Sequence, residues 1–190
     1  MTELTDFQRK ITDFLPNIEL RFQEPMSKHT SFRIGGPAEV MAFPKTREEL
    51  AEVLKTSALL DCKTAILGAG TNVLAPDGGI SGLVICLKDC LDGMEQLDET
   101  RIRVMAGVTM SRAAVFAANL GLTGLEFAHG IPGSVGGAVF MNAGAYGGEI
   151  SDVLENSSYV TPSGITTLQN EEHKFGYRES IYKSHPEFTV

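Results

Sequence analysis

Positive charge is what this sequence most lacks. It has 16 Lys and Arg against 24 Asp and Glu, a net charge of −8 over 190 residues. That balance argues against nucleic acid or an anionic membrane as a general partner. Both halves are similarly acidic, so there is no basic arm or tail. Long apolar runs are also missing. None reaches the ~18 residues of a membrane-crossing helix, and MTELTDFQRK has no apolar signal region, so a cytoplasmic location is expected. The three cysteines, Cys62, Cys86 and Cys90, are odd in number. Cys86 and Cys90 form C-x3-C with no second ligand pair, which predicts reduced, buried or half-buried thiols and no metal site. The common phosphate signatures are absent as well. No G-x-x-x-x-G-K-[ST] occurs, and no G-x-G-x-x-G stands between a strand and a helix with an acid about 20 positions on.

What is present suits a globular chain, 43% hydrophobic and 21% charged. Thr5–Phe14 predicts an amphipathic helix with Phe7, Ile11, Phe14 and Leu15 near one face, ended by Pro16. Ala38–Phe43 predicts a strand. Thr46–Leu60 predicts a helix capped by Thr46, with Leu50, Val53, Leu54 and Ala58 along one side. Thr64–Leu67 follows as a short buried strand, so the order reads as a βαβ unit. Gly82–Leu87 is a further strand. Met94–Leu97 and Ile102–Ala106 predict a hairpin turned at Asp98–Thr100. Thr109–Asn119 predicts a helix stopped at Gly121. Asp152–Thr161 and Ile165–Leu168 flank the turn signal Pro162-Ser163-Gly164. Asn170–Glu172 predicts a short helix and Phe188–Val190 the start of a strand. The mixture of βαβ and hairpin signals indicates an α+β fold. Because the chain stops within an apparent strand, it is expected to be part of something longer.

Glycine concentrates in two places. Of the 20 glycines, five lie in Leu67–Gly82 and seven in Gly130–Gly148. Glycine permits positive φ and close approach to the main chain, and successive N–H groups in such turns form anion-binding concavities. Thr71, Asn72, Ser134 and Asn142 add short hydrogen-bonding side chains. No lysine or arginine occurs between Lys63 and Lys88, or between Arg112 and Lys174. An anion held here would be held by backbone dipoles and hydroxyls, which suits a diphosphate within a large apolar cofactor better than a triphosphate with Mg²⁺. The alternative is that these glycines only build tight turns and close packing.

Five strings, in order, carry a family resemblance: T-S-F-R-I-G-G-P-A (30–38), L-G-A-G-T-N-V-L (67–74), G-L-E-F-A-H-G-I-P-G-S-V-G-G-A-V (124–139), M-N-A-G-A-Y-G-G-E-I (141–150) and F-G-Y-R-E-S (175–180). Together they resemble the UDP-N-acetylenolpyruvoylglucosamine reductases. The resemblance implies the FAD-binding fold shared with vanillyl-alcohol oxidase and p-cresol methylhydroxylase, in which two α+β subdomains clasp FAD and backbone amides hold its pyrophosphate. The domain expectation is a lead-in over 1–29 and an FAD-binding domain over 30–190, with subdomains of about 30–90 and 91–190. The implied cofactor contacts are Leu67, Gly68, Ala69, Gly70, Thr71, Asn72, Val73 and Leu74 in the first segment. In the second they are Gly130, Ile131, Pro132, Gly133, Ser134, Gly136, Gly137, Asn142, Ala143 and Gly144.

In that family NADPH reduces FAD, and the reduced flavin passes hydride to the enolpyruvyl double bond of a UDP-sugar, giving UDP-N-acetylmuramate for peptidoglycan synthesis. Arg178 matches the family's active-site arginine, and a guanidinium suits a substrate carboxylate. The bland reading of Arg178 is a surface residue paired with Glu179. Tyr177 and Tyr146 are implied substrate contacts. The family's proton-donor serine and third catalytic residue, a glutamate, belong to a C-terminal substrate domain that this chain stops short of. Turnover by the chain alone is therefore expected to be absent, and monomers or weak self-association are expected. Ser180 and Ser184 stand in the wrong context to fill the gap. Two other classes stay open: another flavin oxidoreductase of the same fold, with His129 as a conceivable tether, and a non-catalytic nucleotide-binding module. Of the other residues, His29 and His129 read as structural, His173 and His185 as solvent-exposed, and Asp152 and Glu155 as a solvated edge. Arg33 stands evenly between a flavin contact and a turn cap.

Overall fold

Helix starts follow their caps. At α1 (Asp6–Phe14), Thr5 Oγ1 accepts from Gln8 N at 3.2 Å and Gln8 Oε1 accepts from Thr5 N at 3.0 Å, a reciprocal capping box. Threonine again caps α2 (Arg47–Leu59), where Thr46 accepts from Glu49 N. The computed structural model describes residues 3–161 and 164–185. The chain divides into two units, Met1–Cys90 and Leu91–Val190.

In the first unit, β1 (Glu19–Pro25), β2 (Pro37–Phe43), β3 (Thr64–Leu67) and β4 (Ile80–Cys86) form one sheet in the order β1-β2-β4-β3. β1 runs antiparallel to β2, while β2 and β3 both run parallel to β4. The strands flanking α2 are thus parallel, as the βαβ pattern predicted, with β4 inserted between them. Composition explains the insertion. Leu83, Val84, Ile85 and Cys86 are all buried, and a continuous apolar run fits a strand covered on both faces. Thr64–Leu67 was expected to be buried; it is an edge strand on which only Leu67 is buried. β1 had no clear sequence signal, because its apolar side chains, Leu20 and Phe22, are only half-buried and its one buried residue is Glu24.

Two helix faces differ in detail from expectation. Phe14 is exposed while Gln8 is buried and donates to Glu39 O, and on α2 Ser57 replaces Ala58 on the buried side. Cys86 and Cys90 are buried, Cys62 is half-buried, and all three are free thiols.

The second unit opens with the expected hairpin, β5 (Met94–Gln96) against β6 (Ile102–Val104). Asp98 Oδ1 closes its turn by accepting from Thr100 N and Arg101 N, each at 2.9 Å. Those bonds and the Arg101 guanidinium hold the Asp98 carboxyl down at about 2. α3 (Met110–Asn119) is capped by Thr109 and stopped at Gly121, whose φ is +72°. The second glycine-rich segment, read from sequence as turns, contains a helix, α4 (Val135–Met141). Then come a two-stranded hairpin, β7 (Gly144–Ala145) and β8 (Gly148–Glu149), and a one-turn helix, α5 (Ile150–Val153).

β9 (Asn156–Thr161) pairs antiparallel with β10 (Gly164–Gln169). The strand expected from Asp152 begins only at Asn156, because reciprocal capping between Glu149 and Asp152 winds Ile150–Val153 into α5. A 3-10 turn over Asn170–His173 matches the expected short helix, and α6 (Ile181–Ser184) ends the described chain. Pro162, Ser163 and the expected strand at Phe188–Val190 lie outside the described residues. No helix is long and apolar enough to cross a membrane, and no group of three or more His, Cys, Asp or Glu is arranged to hold a metal ion, among the described residues.

Candidate functional site

The first glycine-rich segment leaves β3 as an irregular loop. Gly70, at φ +67°, presses against the chain at His29: an added Cβ would stand 2.0 Å from His29 O. Ser31 N donates to Gly70 O at 3.0 Å, tying the two loops together. His29 is itself anchored, its Nε2 2.9 Å from Glu24 Oε1. Burial opposes the charge on Glu24, yet the His29 hydrogen bond and the nearby Lys28 and Arg21 cations together hold its carboxyl below the usual range. Gly70 is thus used for close packing, as the bland reading supposed. The N–H groups of Gly68, Ala69, Gly70 and Asn72 take no partner among the described residues. Phe32, Ile34 and Leu74, on loops joined where Gly35 meets Ala75, expose large apolar side chains. Arg33 is exposed with φ +56°.

In the second unit, most of the glycine segment is already committed to the fold. Val135 N donates to Val108 O at 2.8 Å, Gly136 N to Ala106 O at 2.9 Å, and Gly137 N to Ser134 Oγ at 3.3 Å. The first turn of α4 therefore has few free donors. An added Cβ at Gly136 would meet Ala106 Cβ at 2.9 Å. Gly133 N and Ser134 N remain without a partner among the described residues. Asn142 is buried, in the left-handed region, and closes α4. Its amide is spent inside the protein: Oδ1 accepts from Ser151 N at 3.0 Å, and Nδ2 donates to Gly176 O at 3.2 Å.

That last bond brings two distant strings together. Gly176 and Glu179 exchange backbone bonds of 3.2 and 3.1 Å, which makes Tyr177 and Arg178 the two central residues of a tight turn. Arg178 has φ +57° while Tyr177 does not have positive φ, the sign pattern of a type II turn, whose third position favours glycine. A bulky residue held there is strained, and such strain clusters at functional sites. Arg178 and Tyr177 line an open cleft of about 420 Å³ with Asn142, Gly144, Glu149 and Asp152. Glu179 pairs with Lys183 at 3.7 Å, and Arg178 makes no ion pair among the described residues, so the pairing with Glu179 does not occur. Tyr146 stands at the tip of the β7–β8 hairpin, 97% exposed, with positive φ at both Tyr146 and Gly147 as in a type I′ turn.

His173 was expected at the surface and is completely buried. Its Nδ1 faces Gln169 O at 2.8 Å and Asn170 O at 3.1 Å, which only accept, so Nδ1 donates. Nε2 lies 2.7 Å from Ser157 Oγ, which hydrogen-bonds Tyr182 OH at 2.6 Å. The ring stacks on Phe175, 4.9 Å between centroids and 3° apart in plane. Phe175 and Tyr182, on either side of the Arg178 turn, are thereby fixed. The clue in the sequence was the aromatic spacing around F-G-Y-R-E-S-I-Y, not the polar neighbours of His173. His129 and His185 are exposed, as are Asp152 and Glu155.

Comparison with known proteins agrees with this arrangement. The model of a family described as FAD binding domain matches residues 38–168. A UDP-N-acetylenolpyruvoylglucosamine reductase of Syntrophomonas wolfei is 42% identical over 175 residues, covering 92% of this chain and 58% of the relative. The crystal structure of the corresponding reductase from Thermus caldophilus superposes with a TM-score of 0.66 at 33% identity, covering 86% of this chain and 56% of that one. A solvent-stable cholesterol oxidase shares the fold alone, with a TM-score of 0.65 at 17% identity over 83% of this chain and 34% of its own. The chain spans a little over half the length of the curated reductases it matches, 58% in the first case. The α+β expectation and the resemblance read from the five strings both hold: the chain belongs to the FAD-binding domain family and, within it, sides with the UDP-N-acetylenolpyruvoylglucosamine reductases.

Proposed function

We propose that this chain is the FAD-holding portion of a cytoplasmic UDP-N-acetylenolpyruvoylglucosamine reductase, and that it also supplies the arginine that receives the substrate. The donor set fits the cofactor. In the first unit, N–H groups at Gly68, Ala69, Gly70 and Asn72 that take no partner among the described residues suit an anion such as a phosphate; in the second unit, taken by itself, so do those at Gly133 and Ser134. Neither segment carries a lysine or arginine of its own, so the donors within it are backbone N–H groups and short polar side chains. Exposed apolar residues beside the first loop suit the ring systems of a large cofactor. When bound, FAD supplies two-electron hydride chemistry, with NADPH as the reductant.

The observation that carries the substrate role is Arg178. It is a strained, unpaired guanidinium presented in a cleft. A fork of donors with no internal acid can meet a carboxylate with two parallel hydrogen bonds. In this reading Arg178 binds the enolpyruvyl carboxylate and stabilises the negative charge that grows beside it, while Tyr177 places the sugar nucleotide and Tyr146 borders the same cleft's entrance loop. Glu149 and Asp152 are held by each other's helix end and do not neutralise the arginine. The test is flavin retention. The folded chain, incubated with FAD and passed over a desalting column, should keep flavin absorbance in the protein peak. A folded sample that emerges colourless overturns the reading.

A further inference from the structure

The Tyr177–Arg178 turn is fastened at both ends to one short helix. At its start, Asn142 Nδ2 donates to Gly176 O at 3.2 Å. Just past its end, the buried Ser180 donates from Oγ to Phe140 O at 2.7 Å. Phe140 and Asn142 are the penultimate residue and the C-cap of α4. The same helix begins at Ser134, whose N–H, like that of Gly133, takes no partner among the described residues. A seven-residue helix is about 10 Å long. One rigid element thus carries anion donors at one end and the arginine turn at the other.

We propose that Asn142 and Ser180 are positioning residues, which clamp the strained Tyr177–Arg178 turn to α4 and hold the guanidinium ready for a carboxylate. This rests on the role of Arg178 given above. Asn142 was implied as a cofactor contact; the geometry gives it a different task, because both ends of its amide are already used within the protein. The clamp has a physical purpose. A non-glycine residue at φ +57° is strained, so a free turn would relax and scatter the arginine. Two hydrogen bonds from buried side chains oppose that relaxation. An Asn142 that only tied α4 to α5 would need just its amide oxygen, which accepts from Ser151 N in the first turn of α5.

That distinction sets the experiment. Asn142→Asp keeps the acceptor for Ser151 N and removes the amide's donations, to Gly176 O and to the Glu149 carboxylate. Ser180→Ala removes the other fastening and serves as an independent variant should the first fold poorly. Amide hydrogen exchange on the 190-residue chain is read at Gly176 and Glu179, whose N–H groups close the turn. Protection there should fall on the order of tenfold or more in either folded variant, while protection in β9 and β10 stays unchanged. Unchanged protection at both turn amides in a folded variant overturns the proposal, as does an equal loss throughout the unit. Binding of the enolpyruvyl UDP-sugar is measured in parallel, with Arg178→Ala as reference. Both clamp variants should weaken it, by less than Arg178→Ala does. If Arg178→Ala leaves that binding intact, the substrate reading falls, whereas the exchange result still decides whether the clamp exists.

Discussion

The two glycine-rich segments have similar composition and are built differently. After β3, the loop from Gly68 to Leu74 stays irregular, and one glycine, Gly70, is wedged against a neighbouring carbonyl while the N–H groups of Gly68, Ala69, Gly70 and Asn72 take no partner among the described residues. After the 3-10 turn at Glu126–Gly130, the second segment winds into α4, and the N–H groups of Val135, Gly136 and Gly137 are all taken internally. Gly133 N and Ser134 N, just before the helix, take no partner among the described residues. A run of glycines therefore marks two kinds of demand, close packing and free donors. Neither can be assigned to a given glycine until its neighbours are known.

Substitution can break this comparison at its sharpest point. Gly70→Ala should cost about 3 kcal/mol or more, because the new Cβ combines positive φ with a clash against rigid backbone. Urea unfolding followed by circular dichroism measures it; a loss under about 1 kcal/mol would mean that the loop adapts. Gly136→Ala is the matched change in the other segment. There the Cβ meets a methyl group, and alanine favours the helix, so overpacking is partly offset and a net cost of about 1–2 kcal/mol is expected. If the two variants prove equal, the contrast between wedged loop and packed helix fails.

The smallest expected effect concerns the Glu24–His29 anchor beneath the first loop. The folded Glu24 carboxyl titrates below its unfolded value, so the unfolded chain binds the proton more readily. The anchor's contribution is then fully present above the ordinary glutamate range, near the reference value of 4.5, and is lost as pH falls from there through the lower folded value. Glu24→Gln should cost at most about 1 kcal/mol at neutral pH and flatten the acid limb of stability against pH. A variant whose acid limb matches the parent chain would show that the anchor carries none of that dependence.

Much of the fold was legible because its signals are local. Thr46 caps α2 as the sequence predicts, the helices expected from Thr5 and Thr109 start there with those threonines as caps, and Gly121 and Asp98 turn the chain as their chemistry requires. The arginine of F-G-Y-R-E-S was legible as a string. What held it was not, since Asn142 and Gly176 lie 34 positions apart and Ser180 and Phe140 lie 40 apart. His173 was misread for the same reason: polar neighbours in sequence suggested solvent, while Ser157, Phe175 and Tyr182 enclose it in space.

By itself, then, the sequence determined the helix starts, the turns, the clustering of glycine, the absence of nearby cations and the family. Each depends on residues within a few positions of one another, where backbone sterics and capping act. The tertiary structure decided that β4 lies between β2 and β3, which glycines pack and which leave donors free, and that one short helix bears both free donors and the arginine turn. Those outcomes come from burial and hydrogen bonding across the chain, where many partners are compatible with the local pattern and packing selects among them.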